Sequence, residues 1–97
     1  MTILKHLENW ISENSRRLSE SGVIVKLVDC KPTDNTAAYI EIDTEMVVAR
    51  ATFWQSMEVN LEAIELESNK EVIAENHLAH DSTEMLRLLD NFIYRLQ

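Results

Sequence analysis

Residues 46–68 read MVVARATFWQSMEVNLEAIELES, and over most of that length apolar and polar side chains alternate with a period of two. Val47, Ala49, Ala51 and Phe53 fall on one side of a pleated strand, and Val48, Arg50, Thr52 and Trp54 on the other. Beyond Gln55-Ser56 the pattern resumes, with Met57, Val59, Leu61 and Ala63 alternating with Glu58, Asn60 and Glu62. This is the pattern of a β-hairpin with one face to bury and one acidic face open to water. The acidic face carries Trp54, and a large aromatic among carboxylates on an open sheet asks for a partner.

The hairpin turn lacks the Asn-Gly or Gly-Xaa pair of the tightest connections, so a bulged or longer loop is expected there. After Ala63 the phase slips, because Ile64 and Leu66 land where Glu62 pointed outward. A β-bulge near Ala63 reconciles the two halves.

Upstream, residues 37–43 alternate again, with Ala38, Ile40 and Ile42 inward and Tyr39, Glu41 and Asp43 outward. Residues 23–30 are β-branched and apolar on both sides apart from Lys26, as expected of a strand lying beside the helix before it. Between these strands Lys31-Pro32-Thr33-Asp34-Asn35-Thr36 gathers most of the turn formers. Downstream, Glu67-Ser68-Asn69-Lys70 is a turn and residues 71–78 a fifth strand. There Val72, Ala74 and Leu78 are expected inward, with Ile73 and Glu75 on the open face.

Amphipathic helices flank the strands. Ile3, Leu4, Leu7, Trp10, Ile11 and Leu18 recur at helical spacing, and Ser21-Gly22 supplies the stop. At the other end Asp81 with Glu84 has the capping-box spacing, followed by Met85, Leu89, Phe92, Ile93 and Leu96 on one face. The expected fold is α+β, a five-stranded antiparallel meander with N-terminal and C-terminal helices packed on one face, in the order α-β-β-β-β-β-α. Residues 1–97 are expected to form a single domain.

Composition narrows the function. Seventeen acidic against nine basic residues give a formal charge of −8, which repels phosphate backbones and anionic membranes and attracts basic proteins. Direct nucleic-acid and membrane partners are therefore disfavoured. The single cysteine, Cys30, forms no internal disulfide and is expected to be a buried small residue. With no basic leader followed by an apolar run, the expected location is cytoplasmic.

Catalysis has poor candidates. Of the three histidines, His77 and His80 span a strand end and a loop with no second ligand pair, so no metal is expected. No Gly-rich phosphate loop occurs, and no cofactor is expected. Carboxylates spread over a flat, solvated face, here Glu41, Asp43, Glu58 and Glu62, do not make a catalytic acid/base pair. Recognition suits them better: Arg50 is expected to pair with Glu41 or Glu62, and Trp54 to serve as an apolar anchor amid polar groups. The candidate partner-binding residues are Tyr39, Glu41, Asp43, Arg50, Trp54, Glu58, Asn60, Glu62 and Glu75.

The run from Ala49 to Val72, between its two helices, resembles the small acidic immunity proteins of bacterial polymorphic-toxin and contact-dependent growth-inhibition systems, most closely the TriTu-type group. The resemblance is carried by Ala49, Arg50, Trp54, Leu61, Glu62, Glu67, Ser68 and His77. In the turn after the tryptophan, where such sequences commonly carry a glycine, this chain has Gln55-Ser56-Met57. The resemblance implies a non-enzymatic inhibitor that binds the C-terminal toxin domain of its own strain's exported effector. Toxins of that group look like RNA-cleaving domains, with tRNA as a candidate target and elongation factor Tu as a candidate accessory. From another class, the alternative is a chaperone or adaptor for a secreted effector, binding an extended segment at a sheet edge.

Overall fold

The computed structural model describes residues 2–30 and 36–97, with the side chain of Thr2 excepted. The Lys31–Asn35 portion of the expected loop lies outside the described residues. The elements follow as α1 (Thr2–Glu20), β1 (Ile24–Asp29), β2 (Ala37–Asp43), β3 (Val47–Trp54), β4 (Glu58–Glu65), β5 (Lys70–Leu78) and α2 (Ser82–Leu96). The strands form one antiparallel sheet in chain order, β1-β2-β3-β4-β5. Short connections favour antiparallel pairing of successive strands.

Both helices end where their chemistry says they should. At the close of α1, Gly22 takes a φ of +86°, Val23 N–H donates to Leu18 C=O at 2.8 Å, and Gly22 N–H donates to Ser19 C=O at 3.1 Å. That is a Schellman ending, and the buried pair Leu18 and Val23 supplies its apolar contact. At the start of α2, Asp81 accepts from Glu84 N–H at 2.9 Å, while the Glu84 carboxylate accepts from His80 N–H at 3.3 Å. The reciprocal reach therefore extends one residue further back than a standard capping box.

One face of the sheet is covered. Ile40, Ile42, Ala51, Phe53, Val59 and Leu61 pack in a single cluster with Ile3, Leu7 and Leu18 of α1 and Met85, Leu89 and Phe92 of α2. Trp10 belongs to this core, and its indole N–H donates to Asp90 at 2.8 Å, tying the two helices together. Among the described residues no polar or charged side chain is buried in it, and none of the helices is long and apolar enough to cross a membrane.

The hairpin turn is the longer kind. Met57 N–H donates to Trp54 C=O at 2.9 Å and Met57 itself has a φ of +77°. A turn followed by a left-handed residue is the bulged three-residue connection, in which glycine is the unstrained choice. The side chain of Met57 packs partly on the core.

Three expectations are corrected. A bulge does fall beside Ala63, as expected, but its extra residue belongs to the partner strand β5 and so does not turn Ile64 and Leu66 inward: Ala63 pairs with Ile73 but Ile64 pairs with Glu71, leaving Val72 over. Ile64 consequently stays on the outer face, exposed, and Leu66 is exposed as well. The facing of β5 is the reverse of that expected, because Leu61 pairs with Glu75 and Ala63 with Ile73. Directly paired residues share a face, so Ile73 and Glu75 lie on the helix side and Ala74 and Leu78 on the open side. As an edge strand beyond most of the helix cover, β5 meets little of the core, and its hydrophobic pattern does not report its facing. Cys30, just past β1, is half-buried and not a core residue.

Candidate functional site

The uncovered face is built from cross-strand rows that the pairing register fixes. At one end stand Ile24, Asp43, Val48, Ile64 and Glu71; next come Lys26, Glu41, Arg50, Glu62 and Ala74. The third row is Val28, Tyr39, Thr52, Asn60 and Asn76. Trp54 and the Glu58/Leu78 pair close the far end beside the hairpin turn.

In the middle, Arg50 is already engaged. Its guanidinium lies 4.2 Å from the centroid of the Tyr39 ring and 3.7 Å from the Glu41 carboxylate. A planar cation stacked on an aromatic and held by a carboxylate is a stable combination even where water reaches it. Of the two acids opposite Arg50 across the strands, Glu41 takes the pair and Glu62 remains exposed. Beside them Glu41, Asp43, Val48, Arg50, Glu62 and Ile64 line a shallow depression of about 410 Å³.

At the far end an amide relay fixes the aromatic. The Trp54 indole N–H donates to Asn60 at 2.6 Å, and the Asn60 amide donates to Asn76 at 2.5 Å. With its one donor satisfied inside the protein, Trp54 presents only ring surface outward. Leu78, 70% exposed, stands two strands away on the same side.

Tyr39, Glu41, Asp43, Arg50, Trp54, Glu58, Asn60 and Glu62 are therefore brought together on one surface. Glu75 is not among them. On the helix side it accepts two hydrogen bonds from the Arg95 guanidinium of α2, at 2.5 and 3.1 Å, and a third contact of 2.9 Å joins it to His77 Nε2. Arg95 first and His77 second hold the Glu75 carboxyl down to about 2, and Glu75 in turn raises Arg95. The cluster pins the edge strand to the end of α2.

Sequence reasoning missed Ile24, Lys26, Ile64, Ala74, Asn76 and Leu78 on the open face. The signal that finds Asn76 is its alternation with Glu75 and His77, legible only once the pairing of β5 with β4 is known.

The family described as Immunity protein TriTu matches residues 5–95, nearly the whole chain, and the protein belongs to that family. No curated protein matches the chain.

Proposed function

We propose that, as a member of this immunity family, the protein neutralises a cognate toxin domain by covering that domain's cationic working surface with its open sheet face. Family membership over residues 5–95 carries the reading. The formal charge of −8 supports a basic partner, because opposite fields speed encounter and favour the right orientation. An RNA-cleaving toxin must bind a polyanion, so an inhibitor with carboxylates and an apolar anchor suits it as a competitor. Inhibition is stoichiometric and needs no chemistry of the chain's own. We assign it to the cytoplasm of a cell using contact-dependent growth inhibition, against a tRNA-directed nuclease working with elongation factor Tu.

The contact set is Trp54 as anchor, Glu41, Asp43, Glu58 and Glu62 as charge partners, and Tyr39, Arg50 and Asn60 as the groups that organise them. Glu75 leaves this set because its carboxylate is committed to Arg95. The test is coexpression with the toxin domain encoded beside the gene. Protection of cells and a stable complex are expected, with association slowed by E58K/E62K and by salt. Protection unchanged by W54A with E58K/E62K overturns this choice of surface, and export of the effector without protection favours the chaperone reading.

A further inference from the structure

The open face contains the same recognition unit in two forms, and in only one of them is the cation supplied by the chain itself. In the middle of the face Arg50 lies on Tyr39 and against Glu41, at 4.2 and 3.7 Å. At the hairpin end Trp54 and Glu58 repeat the aromatic and the carboxylate. They flank the turn one register position beyond the Phe53/Val59 pair, and among the described residues the Glu58 carboxylate has no hydrogen-bond or ion-pair partner. The ring is held in place beforehand, since Asn60 takes its indole N–H and Asn76 holds Asn60. A prearranged indole on the same face as an uncommitted carboxylate across the turn suits a planar cation with an aliphatic stem, for which the exposed Leu78 opposite Glu58 offers apolar contact.

We propose that Trp54 and Glu58 form a receptor for an arginine side chain of the partner protein, with Asn60 and Asn76 as positioning residues. The inference rests on the toxin-neutralising reading only for the identity of that partner. Arginine is favoured over lysine because its guanidinium stacks on the ring while hydrogen-bonding the acid.

The experiment is a titration of the full chain with a capped tri-arginine peptide and its tri-lysine counterpart, followed by NMR at the indole and backbone N–H groups. The Trp10 indole, inside the core, is the internal control. Expected are shifts at the Trp54 indole and at Glu58 with tighter binding of tri-arginine, weakened about 1.5- to 5-fold by E58Q, the loss of one exposed ion pair, and unchanged by E67Q, an exposed turn acid. Equal weakening by E67Q and E58Q, or shifts centred on Arg50, overturns the proposal. A second arm uses the toxin domain: binding that survives W54A and E58Q unchanged overturns the arginine receptor while leaving inhibition intact. Failure of the wild-type chain to bind the toxin removes the inhibitory reading and leaves the peptide result standing.

Discussion

The two faces of the sheet come from the same strands and have opposite chemistry. Inward, Ile40, Ala51, Phe53 and Leu61 lose nearly all contact with water and are joined by no buried polar group among the described residues. Outward, their immediate neighbours Tyr39, Arg50, Trp54 and Asn60 are partly exposed and linked across strands by polar contacts. Burial is therefore concentrated on one side, and the proposed recognition surface is the other. A substitution on either side should disturb one property and spare the other.

The largest effect expected is on the covered side. Phe53→Ala removes a fully buried ring and should cost about 3–5 kcal/mol of folding free energy, read as a lower midpoint in urea denaturation. A loss below 1 kcal/mol would mean that the core is not where the strand alternation puts it.

On the open side Trp54→Ala should reverse the balance. Toxin affinity should fall by about 2 kcal/mol or more, as for an interface anchor, with folding stability changed far less than by Phe53→Ala. Equal losses in both measurements would erase the distinction between the faces.

Smaller effects sharpen the boundary between them. Gly22→Ala meets no atom within 4 Å of the new methyl, so its cost comes from the φ of +86° alone; about 1–2 kcal/mol is expected, with toxin binding unchanged. Asn69, exposed in the β4–β5 turn with a φ of +58°, should become more stable on change to glycine by a few tenths of a kcal/mol to about 1 kcal/mol.

The smallest effect concerns the edge strand. Glu75 is held at about 2 in the folded chain, against an ordinary value of 4.5. A lowered folded value means that its contribution is fully present above the ordinary range and is lost as pH falls from about 4.5 towards 2. Because Glu75 and Arg95 are both partly exposed, water screens the pair and the contribution should stay below about 1 kcal/mol. Glu75→Gln should flatten the acid limb of the stability curve by that amount. An unchanged acid limb would show that the tie between β5 and α2 contributes nothing in solution.

Much of this was legible in the chain. Alternation in residues 46–63 identified both faces of the central hairpin, and the spacing of Leu7, Trp10 and Leu18 identified the helix stripe that covers one of them. Asp81 and Gly22 marked a helix start and a helix stop through hydrogen bonds that span only a few residues. The site is less legible. Local alternation marks Trp54, Asn60 and Arg50 as outward residues but not Asn76, Leu78 and Ile64, and it points Glu75 to the wrong side.

The sequence by itself determined what depends on near neighbours: the order of elements, the turns, the caps, and the facing of strands rich enough in apolar residues to declare a core side. Only the tertiary structure decided the facing of β5, the placing of the bulge at Val72, the engagement of Arg50 by Tyr39 and Glu41, and the relay that holds Trp54. These depend on pairing between strands and on contacts up to twenty residues apart along the chain. An edge strand with little core to bury carries no local signal of which way it turns.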